Sequence, residues 1–324
     1  LVAYDRKVNK PSIIGQLKAA STTDELLRIA RTVTPPMSDE PAIAADGTLY
    51  FGADLGAVRV RRPDGTWSSF HSDTLRTISA VELEGDDLLA GSDNGVIRRS
   101  ADQGQSWSIV KTLRPVEAIV DIDHADGIWV VTTNRPGADA GPRNPSLVMA
   151  VYTARRSDLA DLALSREFDS LGWLGSRGQL VNGRYFITTL PTLQRLDLGS
   201  MEWKAITPDG KVGSQRVNPD TGVVTALWSQ GAFSKIFVST DHGDTWKKLG
   251  RPPYVIADVQ MDAADRGYAS RWNMNAFSGE WEIYRYDAAK DDWTMTVKAP
   301  FNCKPLRVAS AMPVLCIAND ASIF

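Results

Sequence analysis

The sequence predicts an all-β chain: a seven-bladed β-propeller with four-stranded antiparallel blades, the last of them closed by an N-terminal strand. Three observations point there. One eight-residue pattern occurs twice, aromatic residues recur at close to one blade length, and the two chain ends read as complementary parts of one blade. Residues 1–324 are taken as one domain, with 1–25 an N-terminal extension and 26–33 the closing strand.

The repeated pattern is S-x-D-x-G-x-x-W. Ser100, Asp102, Gly104 and Trp107 meet it, and Ser239, Asp241, Gly243 and Trp246 meet it again. Each residue has a physical job in a tight hairpin. The Asp carboxylate accepts backbone N–H bonds across the turn. The Gly supplies a positive φ that a side chain resists. The Trp opens the outer strand and buries a large face between blades. These jobs are structural, so the two boxes should matter for folding and not for activity.

The other blades follow from the aromatic that starts each outer strand. Trp67, Trp107, Phe168, Trp203, Trp246 and Trp293 succeed one another at intervals of 40, 61, 35, 43 and 47 residues. The mean is near the period of a four-stranded blade. The long interval contains the Pro-, Gly- and Asn-rich loop from Asn134 to Pro145.

The seventh blade comes from the ends. Counting back 40 residues from Trp67 reaches Leu27, within Asp24–Arg31. At the other end Pro305–Ala309 and Val314–Ala318 read as inner strands, and the chain stops in a third. A strand at 26–33 would complete that blade and leave no exposed edge. Thr23 and Asp24 also resemble a helix cap, but ring closure favours the strand. With a turn at Ala311-Met312, Cys316 would face Arg307. Cys303 would then lie about 13 Å away along the strand, beyond disulfide reach, so Cys316 is expected as a buried free thiol.

Net charge is −3 with pI near 5.7, which gives no reason to expect a nucleic-acid partner. No apolar run is long enough to span a membrane. The first residue, Leu1, follows no basic and apolar leader, which suits a mature periplasmic or secreted chain whose signal has been removed. Neither the two Cys nor the three His (His71, His124 and His242) fall in metal-ligand or catalytic spacings, so no metal, no cofactor and no catalytic residue is expected.

The S-x-D-x-G-x-x-W boxes resemble those of the Asp-box (BNR repeat) β-propellers. In outline the chain is similar to the seven-bladed photosystem II stability/assembly factor family, in which the resemblance implies a basic binding face. Asp-box propellers also include six-bladed sialidases. That resemblance would imply an arginine triad, a Tyr–Glu nucleophile pair, an Asp acid/base and an aromatic-Arg-Ile-Pro motif. Arg28-Ile-Ala-Arg31 and Val60-Arg-Arg-Pro63 fit the last of these poorly. Sialidase activity is therefore not expected.

Arginine is what recurs at the face where ligands would sit. Arg177, Arg216 and Arg307 each precede a second strand by seven residues, near the upper end of a first strand lining the channel. Arg76, Arg114 and Arg251 occupy loops that lead into first strands, and the loop at Arg271 and Trp272 opens on the same face, as does the one from Trp228 to Phe233. The expectation is a non-catalytic scaffold that docks a protein or peptide, anionic partners included, on these residues. Two readings compete: the arginines pair with the turn aspartates (Asp54, Asp93, Asp320), or Trp272 and Trp228 serve a glycan hydrolase or lectin-like binder. First-strand ends should be partly solvated, so reversing the charge at Arg177, Arg216 and Arg307 is expected to spare the fold.

Overall fold

The computed structural model describes residues 22, 41–114, 116–138, 146–156, 158–171, 177–230, 233–250, 252, 255–263, 265–272, 281–299, 302–304 and 315–317. The expected extension, the closing strand at 26–33 and the strand Pro305–Ala309 lie outside them, as do Arg251, Arg307 and Asp320. The described residues form β-strands and two short 3-10 turns, with no α-helix.

By backbone contacts the chain divides into two compact units, 1–168 and 169–324. The first holds three four-stranded meanders. Sheet 1 is β1 (Ala42–Ile43), β2 (Leu49–Gly52), β3 (Ala57–Arg61) and β4 (Trp67–His71). Sheet 2 is β5 (Ile78–Glu84), β6 (Asp87–Ser92), β7 (Val96–Ser100) and β8 (Ser108–Thr112). Sheet 3 is β9 (Ala118–Ala125), β10 (Ile128–Pro136), β11 (Ser146–Ala154) and β12 (Ala163–Leu171), the last running just past the division.

The second unit holds three more. Sheet 4 is β13 (Gln179–Val181), β14 (Arg184–Thr189), β15 (Thr192–Asp197) and β16 (Glu202–Ala205). Sheet 5 is β17 (Ser214–Val217), β18 (Val224–Gln230), β19 (Phe233–Ser239) and β20 (Lys247–Lys248). Sheet 6 is β21 (Asp258–Ala263), β22 (Arg266–Trp272), β23 (Trp281–Asp287) and β24 (Asp292–Ala299). A hairpin, β25 (Asn302–Lys304) with β26 (Leu315–Ile317), follows. All six aromatics from which blades were counted lie in a fourth strand or one residue before it.

Both faces of these sheets are apolar, because strands alternate their side chains with period two. In β6, Leu88 and Ala90 join sheet 1 in one buried cluster, while Leu89 joins Ile119, Ile122 and Trp129 of sheet 3 in another. In the second unit Val224 and Ala226 pack toward Phe186 of sheet 4, and Leu227 toward Val259 and Met261 of sheet 6. Each core is thus a layer between consecutive sheets.

The two boxes have the expected local geometry, atom for atom. Asp102 Oδ1 accepts the Ser106 N–H at 2.8 Å and Oδ2 accepts the Ser106 hydroxyl at 2.6 Å. Asp241 does the same to Thr245 at 2.8 and 2.6 Å. The box serines add a bond: Ser100 and Ser239 Oγ each accept the N–H of the box glycine at 2.7 Å. The glycines do more than supply φ of +98° and +91°. A Cβ on Gly104 would lie 3.0 Å from the Phe70 ring, and on Gly243 only 2.4 Å from Ile206, so each box is seated flush on the preceding sheet or its linker. Sheet 1 has a shorter version, in which Asp64 Oδ1 accepts the Thr66 N–H at 2.8 Å just before Trp67.

One expectation is corrected. The C-terminal hairpin is paired differently from the reading based on a turn at Ala311-Met312: Cys303 stands directly opposite Cys316. A hairpin's register follows from where its turn falls, and here Cys316 pairs four residues earlier in the chain than Arg307. Opposed residues in an antiparallel pair have Cα atoms about 4.5–5.5 Å apart, inside the disulfide range. The distance argument against a bridge therefore fails.

The hydroxyl and amide of Ser106, with the hydroxyl of Ser100, hold the Asp102 carboxyl down at about 2. Asp241 is lowered by the equivalent bonds from Thr245 and Ser239. A carboxyl depressed in the fold contributes stability that is complete above its ordinary value near 4 and is lost as pH falls toward the folded value. Thermal unfolding followed by circular dichroism should show wild type well above Asp102→Ala and Asp241→Ala at pH 6. The gap should narrow as pH falls from about 4 toward 2, further for Asp102→Ala than for Asp241→Ala. A gap unchanged at pH 2 would mean that the carboxylates are not the stabilising groups.

Candidate functional site

In each meander the entry to the first strand and the loop from second to third strand lie at the same end, because neighbouring strands are antiparallel. This loop end holds the described residues among those singled out in the sequence. Most of the described arginines there are committed to acidic partners.

In the first unit Arg76 is exposed, close enough to Asp93 to oppose the rise that burial causes in that carboxyl. Asp54, the neighbouring turn aspartate, accepts the Thr77 hydroxyl at 2.8 Å. Arg114 lies 3.6 Å from Glu117 and 3.5 Å from Glu167. Arg135, at the end of β10, lies 3.6 and 3.0 Å from the same two carboxylates. Glu117 is fully buried and accepts the Tyr152 hydroxyl at 2.9 Å. Burial, then the bond to Glu117, pushes Tyr152 up to about 12. A Tyr–Glu pair flanked by arginines has the makings of a nucleophile, but this phenol is held protonated as a donor.

In the second unit Arg216 on β17 reaches Asp258 on the adjacent first strand β21, with Nη2 to Oδ2 at 2.7 Å and Nε to both oxygens at 3.2 Å. Both side chains are nearly buried, at 14% and 10% exposure. Arg271 pairs across the ladder with Glu282 at 3.4 Å, buried as well. Glu282 also accepts the Tyr284 hydroxyl at 2.6 Å. Arg177 is half-buried, and its carbonyl accepts the Gln215 amide at 2.8 Å. Trp272 ends β22 opposite Trp281.

Apolar side chains also stand out to solvent at this end. Phe233 is 56% exposed and Val255 is 40% exposed. Their loops are pinned together. Ser234 Oγ accepts the Ile256 N–H at 2.9 Å and lies 2.7 Å from Ser229 Oγ, and Ser229 in turn bonds the Ile256 carbonyl at 3.2 Å. Trp228, cross-strand from Lys235, has the Lys211 ammonium 5.8 Å from its ring centre.

No protein-family model matches the chain, and no curated protein matches it in sequence. Solved structures do. YCF48 from Cyanidioschyzon merolae aligns with a TM-score of 0.61 at 13% identity, over 89% of this chain and 94% of that one. YCF48 bound to D1 peptide aligns with a TM-score of 0.57 at 14% identity, over 82% and 84%. Ika8, a computationally designed protein, aligns with a TM-score of 0.55 at 9% identity, over 90% and 83%. The fold is that of a β-propeller.

The six sheets are therefore propeller blades. Several features of their loop ends were not visible in the sequence: the Glu117–Arg135–Glu167 group, the Asp258 partner of Arg216, and the exposed Phe233 and Val255. Among the described residues no three His, Cys, Asp or Glu side chains cluster as metal ligands. Arg216 also corrects the expectation that charge reversal there spares the fold. A glutamate would meet the Asp258 carboxylate in a nearly dry site.

Breaking a buried pair from one side is costly, because the surviving charge is left uncompensated. Arg216→Ala should lower unfolding free energy by about 3 kcal/mol in urea titrations. The double replacement Arg216→Met with Asp258→Leu should recover most of that loss. A single variant as stable as wild type would show the pair to be solvated.

Proposed function

We propose that this protein is a non-catalytic docking platform that binds a protein or peptide partner at the loop end of its blades. The observation that carries the reading is the exposure of Phe233 and Val255 on loops held rigid by the Ser229–Ser234–Ile256 bonds. Large apolar side chains presented on a fixed frame lose little entropy on binding and behave as interface anchors. The likeness to a propeller whose structure holds a D1 peptide supports the choice of partner class. The arginines are assigned a supporting role, since Arg114, Arg216 and Arg271 already face acidic side chains.

The wider reading is an Asp-box propeller of seven blades, single-domain over 1–324, with strand 26–33 completing the last blade. The two boxes and the six described meanders support it, and β25–β26 supplies the first two strands of a seventh. A periplasmic or secreted location is supported by Cys303 standing opposite Cys316, a pairing useful in an oxidising compartment. The glycan reading is disfavoured by Lys211, which lies over the Trp228 ring where a sugar would stack.

The test is cross-linking capture from an extract of the native organism, with wild type and Phe233→Ser/Val255→Ser as baits. The variant should lose the partner bound by wild type while melting within about 2 °C of it, as expected for exposed positions. Equal capture by both would remove the loop-end patch from consideration. Saturable binding of a neutral oligosaccharide, lost in Trp228→Ala, would favour the glycan reading instead.

A further inference from the structure

Below the exposed Phe233, the flank of blade 5 carries a cleft that the sequence did not reveal. Strand alternation puts Phe233, Lys235 and Phe237 of β19 on one face, turned toward the linker that leaves β16. An open cleft of ≈ 530 Å³ lies there, lined by Thr207, Pro208, Asp209, Phe237, Trp246 and Lys248. Its volume is in the range of ligand pockets. Asp209 bonds Lys235 at 2.6 Å and also feels Lys248, and both lysines help hold its carboxyl low. Lys211, two residues on, reaches back over Trp228, the cross-strand neighbour of Lys235. Lys248 lines the cleft and Lys235 and Lys211 flank it, so three ammonium groups stand near the one Asp209 carboxylate, beside Phe237, Trp246 and Trp228.

The geometry points to this groove as the seat of an extended, acidic peptide segment that alternates carboxylate and apolar side chains. The inference rests on the docking reading above and names the partner's chemistry. Three arguments favour that occupant. The surplus of lysine over aspartate complements carboxylates. Exposed Phe233 at the upper end and half-buried Trp246 at the lower end offer apolar contacts, with charged positions between. Neither indole presents a clean face for a sugar. Trp228 lies under Lys211, and Trp246 packs on the core and donates its N–H to the Ile206 carbonyl at 2.9 Å.

The experiment uses the full chain and two fluorescent octapeptides, one alternating Glu with Leu and Phe, the other with Lys in place of Glu. Anisotropy should show the acidic peptide bound at least about tenfold more tightly than the basic one. Lys211→Glu/Lys248→Glu should weaken it by about tenfold or more, since each reversal sets a carboxylate against those of the peptide. Both lysines are exposed, so circular dichroism should show the variant folded. A photo-reactive group on the acidic peptide should label residues 207–211 and 246–248. Equal binding of both peptides, equal binding to both proteins, or labelling elsewhere would overturn the inference. So would displacement of the peptide by a sulfated oligosaccharide at lower concentration than by unlabelled peptide. If wild type and the lysine variant both capture the partner found with the Phe233/Val255 baits, the cleft fails while the platform reading stands. If the acidic peptide binds as expected but Phe233→Ser/Val255→Ser still captures that partner, the cleft stands and the loop-end patch fails.

Discussion

The packing of one two-faced sheet on the next sets the terms for everything else in this chain. Leu88, Leu89, Ile97, Ile119 and Ile122 are almost wholly excluded from water, yet they belong to two different layers. Each such side chain contributes about 1.5–3 kcal/mol when fully buried, so a strand such as β6 stabilises both of its neighbours at once. Linker residues enter the same layers: Ile206 and Val212 lie in the core between blades 4 and 5, and Ile256 in that between blades 5 and 6. The box glycines follow from this constraint. A side chain at Gly243 would collide with Ile206 and prise the box from the layer it closes.

The same packing decides which charges are free. First and second strands sit deep in the layers, so an arginine on one of them must bring its partner with it. Arg216 finds Asp258 on the next first strand, and Arg271 finds Glu282 across its own ladder. These pairs tie strands together and leave little charge to offer a ligand. Beside the exposed Arg76, cations also reach solvent on the long stems of lysines on third and fourth strands and on linkers, among them Lys211, Lys235 and Lys248. A basic face read from arginines in the sequence thus becomes, in the fold, a set of internal ties beside a lysine-lined flank.

How much could be read beforehand depended on the range of the interactions. Asp102 and Asp241 were legible because their partners lie four residues away and the spacing is printed in the chain. The aromatic period was legible because every blade needs a large residue at its outer strand. Asp64-Gly65-Thr66 was missed because its carboxylate reaches only two residues, a turn too ordinary to stand out. Glu117 with Arg135 joins a linker to a strand and Arg216 with Asp258 joins two strands, and only the folding of the sheets brings them together. Cys303 and Cys316 illustrate the limit in another way. The placement of the turn set the expected pairing, and a register that puts Cys303 opposite Cys316 moves the whole partner list.

The exposed Phe233 can be weighed on the same physical footing. Moving its ring into the interior would remove apolar area from water, and yet it ends a strand in solvent beside a buried serine. Ser234 is held by Ser229 and by the Ile256 amide, so the backbone that carries Phe233 is fixed from two sides. A free loop would let the ring fold back on the blade, and the bonds prevent that collapse. The cost of fixing the loop is met during folding, and a partner that covers the ring need only gain the area. An anchor poised in this way, at the head of a cleft with three lysines in or beside it, favours a partner that supplies apolar side chains and carboxylates along one extended segment.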